Sequence, residues 1–315
     1  MARPRIYIDG QQGTTGLRIQ QMIGARADIE LLRIPADERK NPATRAEFLN
    51  KADLAILCLP DDAAAEALAL IENARTRVID TSTARRVHPD WTYGLPELAP
   101  GQREQIRTSA RVANTGCYPV GFVLAVRPLI EAGLLDAAAH LTVNAVSGYS
   151  GGGRKMIEAY QPESERVPVR LYSLGKVHKH VAEMQRYSLT QHAPLFVPSV
   201  NDAYCGMLVC TPIPARHLDP GQVEAVYAVW RQRYAGEPFV RVGPPEDAGE
   251  LFAAGTFMDQ ARCNFTNCVD LCAFGVPGQG VLLVGRLDNL GKGAAGNAVQ
   301  CLNLMLGFPE TVGLT

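Results

Sequence analysis

A cysteine at the start of a helix is the residue in this sequence best placed to do chemistry. Cys117 follows Gly116 and precedes Pro119, and apolar residues at helical spacing come next. A proline in the first turn costs no hydrogen bond, because the first N–H groups of a helix have no partner within it. Those N–H groups and the positive end of the helix favour a thiolate and can hold the oxyanion of a tetrahedral intermediate. We therefore predict that Cys117 is a nucleophile, although a buried structural cysteine is the commoner role.

Two histidines are the candidates for the base that such a nucleophile needs. His178 and His180 stand two residues apart, and Glu183 follows them. In an extended segment both imidazoles share a face, whereas a helix would separate them by about 200° and leave only one able to take part. Histidine titrates near neutral pH, which suits it to this task, but a structural or surface pair is the alternative. We predict that His178 is the acid/base, with His180 as the second candidate, and that Glu183 orients one of the two rings. No second cluster of ligand residues accompanies them, so no metal site is predicted.

Three glycines at three-residue spacing follow the first apolar run. Gly10, Gly13 and Gly16 come after the strand pattern of residues 6–8 and before a helical pattern over residues 17–23. Glycines in this place allow a tight turn and let a pyrophosphate approach the helix N-terminus. A plain turn is the alternative, but the position in the first strand–helix unit favours a dinucleotide site.

The end of the second predicted strand bears on which dinucleotide binds. The strand pattern of residues 29–34 ends in Arg33-Ile34, without a carboxylate at its end to accept the ribose 2′-hydroxyl of NAD, and Arg39 and Lys40 follow. Positive charge there suits the 2′-phosphate of NADP. We predict NADP, with Arg33 as its ligand; a solvated surface pair is the alternative for Arg39 and Lys40.

Two more segments carry groups that bind anions. Residues 81–86 follow the predicted strand 77–80 and offer hydroxyl and guanidinium groups, of which we take Arg85 as the ligand in preference to Arg86. Residues 147–155 join glycines and serines to Arg154 and Lys155. That segment is either a flexible loop or a place where backbone N–H groups and Arg154 hold an anionic substrate, and we favour the second.

The elements that must position these residues fall into two patterns. Strands at residues 6–8, 29–34, 53–60, 77–80 and 111–114, with a helix at 62–73, predict a Rossmann-like, doubly wound parallel sheet. After the helix that begins at Cys117, strands at 141–146, 195–200, 207–214, 268–274 and 281–287 predict an α+β domain with a mixed or antiparallel sheet. The spacing of Cys263, Cys268 and Cys272 is similar to that of metal ligands. Because the last two lie in a strand pattern, we predict that these cysteines belong to the core. The fold class is α/β with a second α+β domain.

Composition excludes several classes of protein. The chain has 315 residues, 47% of them hydrophobic and 20% charged, with a net charge of −1. These values are typical of a globular enzyme of about two domains, and they argue against a binder of nucleic acid or of membrane surfaces. Neither a signal peptide nor a membrane-spanning run is evident, so we expect a cytoplasmic protein with reduced cysteines.

Together these segments resemble the shorter form of the N-acetyl-γ-glutamyl-phosphate reductases, in the semialdehyde dehydrogenase superfamily, over essentially the whole chain. The resemblance rests on Gly10-Gln-Gln-Gly13-Thr-Thr-Gly16, Asp80-Thr-Ser82-Thr-Ala-Arg85, Gly116-Cys117-Tyr118-Pro119, Ser147-Gly148 with Gly153-Arg154-Lys155, His178-Lys-His180-Val-Ala-Glu183 and Lys292-Gly-Ala-Ala-Gly296. Two positions depart from the family's cysteine motif: Thr115 stands where proline is usual, and Val120 where threonine is usual.

The resemblance implies an activity and a set of residues. It implies NADPH-dependent reduction of an acyl phosphate through a Cys117 thioester, with release of phosphate, by a homodimer or homotetramer acting on a small molecule and on neither nucleic acid nor membrane. It implies an NADP-binding domain at 1–116, a catalytic and dimerisation domain at 117–288, and a C-terminal helix at 289–315 that returns to the first domain. The cofactor residues it implies are Gly10, Gln12, Gly13, Thr14, Thr15, Gly16, Arg33, Cys58, Pro60, Ser82, Asn289 and Lys292. The substrate residues are Arg85, Asn114, Ser147, Gly148, Arg154, Lys155 and Glu183. The alternatives are aspartate-semialdehyde dehydrogenase, whose family usually puts asparagine where Gly116 stands, and a non-catalytic NADP-binding sensor.

Overall fold

The computed structural model describes residues 3–161, 166–245 and 257–315. The strands in these residues are β1 (Arg5–Asp9), β2 (Glu30–Leu32), β3 (Leu54–Leu57), β4 (Arg77–Asp80), β5 (Thr92–Gly94), β6 (Arg111–Asn114), β7 (Thr142–Gly148), β8 (Val169–Leu171), β9 (Leu195–Asn201), β10 (Met207–Pro214), β11 (Val240–Val242), β12 (Val269–Val276) and β13 (Gly280–Leu287). The helices are α1 (Thr14–Ile23), α2 (Pro42–Lys51), α3 (Asp61–Ala69), α4 (Gln102–Thr108), α5 (Cys117–Glu131), α6 (Gly153–Tyr160), α7 (Val181–Ser188), α8 (Val223–Arg233) and α9 (Gly296–Leu306). None of the helices described is long and apolar enough to cross a membrane.

The chain divides into two compact units. The first unit comprises residues 1–115 and 294–315, and the second comprises residues 116–293. The chain therefore leaves the first unit after β6 and returns to it for α9.

A parallel sheet forms the centre of the first unit. Its six strands run in the order β2-β1-β3-β4-β6-β5, and every neighbouring pair is parallel. Alternate residues of β1 face opposite layers: Ile6 and Ile8 pack with apolar residues of α1 and α9, whereas Tyr7 packs with those of α2 and α3. Helices thus cover both faces, and the predicted doubly wound sheet is confirmed.

One local prediction in the first unit was wrong. Helix α3 ends at Ala69 rather than near residue 73, because the Asn50 side chain donates to the Leu70 carbonyl and accepts from the Glu72 N–H. Those bonds satisfy backbone groups that a longer helix would have used. The segment that begins at Thr92 contains the edge strand β5, which pairs in parallel with β6.

Helix α9 is held in the first unit by polar side chains that are fully buried. The Asn297 amide donates to the Asn114 side chain, at 2.8 Å, and to the Gly94 carbonyl. One turn further along, the Gln300 amide donates to the carboxylate of Glu97 at 2.7 Å. Because buried polar groups are costly without partners, these bonds fix the register of α9 on the sheet.

The second unit is built on a mixed sheet, as predicted. Its seven strands run in the order β11-β12-β13-β10-β7-β9-β8, with parallel pairs at β11–β12 and β7–β9 and antiparallel pairs elsewhere. Helix α5 lies against this sheet where two glycines meet. A Cβ on Gly285 of β13 would stand 2.7 Å from the Gly121 Cα of α5, so only glycines permit this close approach.

One carboxylate on β12 joins neighbouring strands through arginines. Asp270 accepts from Arg241 of β11 at 2.6 Å and from the buried Arg286 of β13 at 2.6 Å. Burial alone would raise the pKa of Asp270, but the hydrogen bonds from the two guanidinium groups outweigh it and hold the pKa below its ordinary value. The thiol of Cys263 also donates to this carboxylate. The described residues contain no group of three or more metal-ligand side chains.

Candidate active site

Cys117 is the first residue of α5, where the sequence placed it. Gly116 caps the helix with extended backbone, φ −80° and ψ 153°, and the cysteine side chain is half-buried. A π-helical turn, Gly291–Ala295, passes directly against it, since a Cβ on Gly293 would lie 2.7 Å from the Cys117 Cβ. The glycine at position 293 therefore lets this turn approach the nucleophile.

The two histidines lie in a turn that leads into α7. This turn is neither the extended segment nor the helix that the sequence left open, yet the two imidazoles do meet: their ring centres are 4.7 Å apart in an edge-on arrangement. The backbone N–H of His180 donates to Nδ1 of His178 at 3.1 Å. An Nδ1 that accepts a hydrogen bond has no proton, so neutral His178 carries its proton on Nε2 and presents a donor there.

Glu183 connects the histidine turn to the residue before the nucleophile. Its carboxylate is buried in the first turn of α7 and accepts from the Gly116 N–H at 3.0 Å. The other carboxylate oxygen lies 4.0 Å from Nε2 of His180. The sequence indicated that Glu183 orients a ring or contacts substrate, but not that it binds the Gly116 backbone.

An aromatic cluster surrounds the histidine pair, and most of it was not predicted. The ring of Tyr118 lies 5.9 Å from each imidazole, and Tyr172 and Phe196 lie 5.7 Å and 5.2 Å from His178. The Tyr172 hydroxyl donates to that of Tyr118 at 2.9 Å, and burial raises the pKa of both phenols. Tyr118 follows Cys117 in the chain, which was an available signal, whereas nothing in the sequence pattern pointed to Tyr172.

The segment after β7 is ordered by close backbone contacts, unlike the flexible loop that was the alternative from the sequence. Gly148 passes so close to the backbone of Cys205 that a Cβ would stand 2.6 Å from its Cα. Ser147 is buried, and its hydroxyl donates to the Gly148 carbonyl. Arg154 and Lys155 lie on α6 and are exposed, with Arg154 paired to Glu158 at 2.7 Å.

Two residues assigned to the cofactor from the sequence are buried within the second unit. Asn289 accepts from the Gly206 N–H at 2.9 Å and donates to the Ser150 hydroxyl at 3.0 Å. Lys292 is fully buried, with its ammonium 5.8 Å from the ring centre of Phe239. Both side chains thus contact other residues of this unit, and their contact with a cofactor stays a prediction.

In the first unit, the glycine-rich turn has the geometry of a phosphate cradle. Gly10 has φ +84°, and a Cβ there would stand 2.3 Å from the Cys58 carbonyl oxygen; one on Gly16 would stand 2.6 Å from the Gly10 oxygen. Gly10, Gln12, Gly13 and Cys58 line a cavity of about 350 Å³ in front of α1. Burial raises the pKa of the Cys58 thiol to about 12, so this thiol is neutral. The glycines thus let the turn pack tightly against its own backbone, and the open cavity beside it fits a dinucleotide.

Several predicted cofactor ligands do not line this cavity. Thr14 and Thr15 begin α1, and Pro60 caps α3. Ser82 is buried and donates its hydroxyl to Asp80 at 3.0 Å. Burial also raises the pKa of Asp80.

The arginine and asparagine predicted to bind substrate from the first unit have different surroundings. The Arg85 side chain is half-exposed and forms no ion pair within the described ranges, so it is available to an anion. The Arg86 guanidinium is buried and donates to the Thr81 carbonyl, which supports the choice of Arg85. The Asn114 amide is buried and donates to the Ala294 carbonyl at 2.9 Å while accepting from Asn297.

Known sequences share these features over the full length of the chain. Family models described as the semialdehyde dehydrogenase NAD binding domain and dimerisation domain match residues 16–108 and 117–289. "N-acetyl-gamma-glutamyl-phosphate reductase 2" of Nostoc sp. strain PCC 7120 is 48% identical, with 100% of both chains covered. The chain belongs to the N-acetyl-gamma-glutamyl-phosphate reductase family. The reductase of Brucella anthropi is 47% identical over 97% of this chain and 99% of its own.

Solved structures agree on the fold of this reductase family member. Aspartate semialdehyde dehydrogenase II of Vibrio cholerae, complexed with ASA, superposes with a TM-score of 0.71 at 16% identity, covering 98% of this chain and 99% of that one. The Candida albicans enzyme with NADP gives 0.69 at 14% identity, covering 97% and 99%. At such identity the likeness concerns fold alone.

Proposed function

We propose that this chain reduces N-acetyl-γ-glutamyl phosphate to N-acetylglutamate 5-semialdehyde, with NADPH as reductant and release of phosphate. The observation that carries the proposal is the cluster of Cys117, His180 and Glu183, which sits in a chain nearly half identical to named reductases of this substrate. A nucleophile, a base and a group that orients the base are the parts that acyl transfer requires. A sensor would need none of them.

Cys117 opens the reaction as a thiolate. Its sulfur attacks the carbonyl carbon of the acyl phosphate, the bond from that carbon to the phosphate oxygen breaks, and phosphate leaves with the electron pair. The product is a thioester on Cys117, which accepts hydride far more readily than a carboxylate does. The backbone N–H groups in the first turn of α5 would hold the oxyanion that forms during attack.

His180 is better suited than His178 to move the protons, which reverses our preference from the sequence. Nδ1 of His178 accepts the His180 N–H, so the neutral His178 ring presents an Nε2–H donor and no basic nitrogen on that side. His180 instead has Nε2 facing the Glu183 carboxylate. A carboxylate there stabilises the imidazolium that forms when the ring accepts a proton. We assign His180 as acid/base and His178 as a donor to an oxygen of the substrate.

The cofactor is assigned to the first unit. Gly10, Gln12, Gly13 and Cys58 line the cavity that would hold its pyrophosphate. When bound, NADPH supplies the hydride that the thioester carbon requires. His180 then protonates the resulting oxyanion and later removes that proton as the carbon–sulfur bond breaks, so the aldehyde leaves and the Cys117 thiolate returns.

The substrate's anionic groups need cationic partners. We propose Arg85 for this purpose, together with Arg154 or Lys155, because these side chains are exposed or half-exposed. Asn114, Ser147 and Gly148 would contribute to substrate binding by holding the backbone around the substrate in place. We also propose a homodimer or homotetramer, since the matched second-unit model is described as a dimerisation domain.

Phosphate-dependent reduction of NADP⁺ tests the proposal. The purified chain is assayed with N-acetylglutamate semialdehyde and with aspartate semialdehyde, and Cys117→Ala is assayed beside it. We expect the wild-type chain to turn over N-acetylglutamate semialdehyde at least about a hundredfold faster than aspartate semialdehyde. Cys117→Ala should show no turnover but should still bind NADPH. A preference for aspartate semialdehyde would refute the proposed substrate, and full activity of Cys117→Ala would refute the mechanism.

A further inference from the structure

The cavity beside the glycine-rich turn has a second wall that carries positive charge. Besides Gly10, Gln12 and Gly13, its lining includes Ile34, Arg39, Lys40 and Arg45. All of these residues belong to the first unit. One continuous space thus has a phosphate cradle and three cations.

The three cations are not equivalent. Arg45 donates to the buried carboxylate of Asp9 at 2.8 Å and 3.2 Å, so its charge is already neutralised. Arg39 and Lys40 are exposed, and neither forms an ion pair or side-chain hydrogen bond within residues 3–161 or the other described ranges. The nearby carboxylate of Glu38 accepts instead from Asn41 and Thr44, at 2.7 Å and 2.9 Å. Two cations at the cavity are therefore without a counter-charge from the protein.

Arg33 does not line this cavity. Successive residues of an extended segment point to opposite sides. Ile34 is buried and lines the cavity, whereas Arg33 is exposed and is not among the lining residues described. Its position directly after β2 had favoured it in the sequence, but its side chain is not one of those that line the cavity.

We propose that Arg39 and Lys40 bind the 2′-phosphate of NADP(H) and are the residues that select it over NAD(H), while Arg33 has no part in the choice. This inference rests on the proposed function, which supplies the dinucleotide. A phosphate monoester dianion is the group that two adjacent uncompensated cations recognise, Arg39 by paired N–H donors and Lys40 as a point charge. NAD(H) has a hydroxyl in its place and gains nothing from either.

Binding affinity, measured without substrate, tests the assignment. NADPH and NADH are titrated by calorimetry into the wild-type chain and into Arg39→Ala, Lys40→Ala, the double variant and Arg33→Ala. Each charge-assisted contact contributes enough that we expect NADPH to bind about 10- to 100-fold more weakly in each single variant, and at least 100-fold more weakly in the double variant. The dissociation constant for NADH should change by less than about twofold throughout, which also shows that every variant is folded.

Arg33→Ala is the matched control, because it removes a neighbouring exposed cation that does not line the cavity. An unchanged affinity of this variant for NADPH supports the assignment. Loss of NADPH affinity in Arg33→Ala with none in the double variant would overturn it. Equal affinity of the wild-type chain for both dinucleotides would overturn the selection of NADP(H), and failure to bind either would instead refute the proposed function.

Discussion

Replacing Glu183 by glutamine separates the two tasks that its carboxylate performs. The wild-type side chain is 1% exposed, accepts from the Gly116 N–H at 3.0 Å and lies 4.0 Å from Nε2 of His180. Glutamine can still accept from Gly116, but it has no charge with which to stabilise the imidazolium. The variant should therefore fold normally and react slowly.

The size of the effect follows from the distance. Two unit charges about 4 Å apart interact by about 4 kcal/mol at an effective dielectric constant of about 20. The proton is only partly transferred in the transition state, so we expect roughly 2–3 kcal/mol of this to be lost. That corresponds to a decrease in kcat of about 30- to 150-fold. The free energy of unfolding should change by less than about 1 kcal/mol, because the buried N–H keeps an acceptor.

Glu183→Ala tests the other task. It leaves the buried Gly116 N–H without its acceptor and opens a cavity, so we expect the free energy of unfolding to fall by about 2–4 kcal/mol. Glu224→Gln is the matched control, since Glu224 also lies in the first turn of a second-unit helix but is exposed. The assays are steady-state kinetics and urea unfolding. A kcat for Glu183→Gln within threefold of wild type would refute the role of the carboxylate.

Three further outcomes are expected. Iodoacetamide at pH 7.5 should label Cys117, seen by peptide mass spectrometry, but not Cys58, whose thiol has a pKa raised to about 12; equal labelling would contradict this. Gly10→Ala should cost more than about 3 kcal/mol in urea unfolding, because its Cβ meets a carbonyl oxygen, whereas Gly101→Ala, at φ +81° with open space, should cost about 1 kcal/mol; similar costs would show that the turn can relax. Asp270→Asn should destabilise the chain by about 3–5 kcal/mol at pH 7. Because the folded pKa of Asp270 is lowered, its stabilisation is present above the unfolded pKa of about 3.9 and is lost as the pH falls below it, so the unfolding free energies of the two proteins should converge in acid; a constant difference down to pH 2 would refute the charge network.

Long-range architecture could be predicted from the sequence where burial imposes a strong pattern. The strands of the first unit are apolar runs because helices cover both faces, and the glycine spacing reflects real steric limits at Gly10 and Gly16. The helix start at Cys117 could be predicted for a similar reason, since a glycine before this residue and a proline after it mark the beginning of a helix.

What the sequence could not supply depends on tertiary contacts. Helix α3 stops early because Asn50, from another helix, takes up its backbone groups. The histidine turn is neither extended nor helical, and the buried spacing of Val181, Met184 and Ser188 was the available sign that a helix follows it. The orientation of Arg33 depends on which face Ile34 buries, and residue type alone does not show that.

The return of the chain to its first unit sets an order of events during synthesis. The seven strands that the structure describes within residues 116–293 are all synthesised before Asn297 and Gln300 leave the ribosome. Until then the apolar layer that Ile6 and Ile8 share with α9 lies open to water. The first unit is thus begun first and completed last. A chain that ended near residue 293 would lack α9, and the apolar face of its parallel sheet would be only partly covered and prone to aggregate.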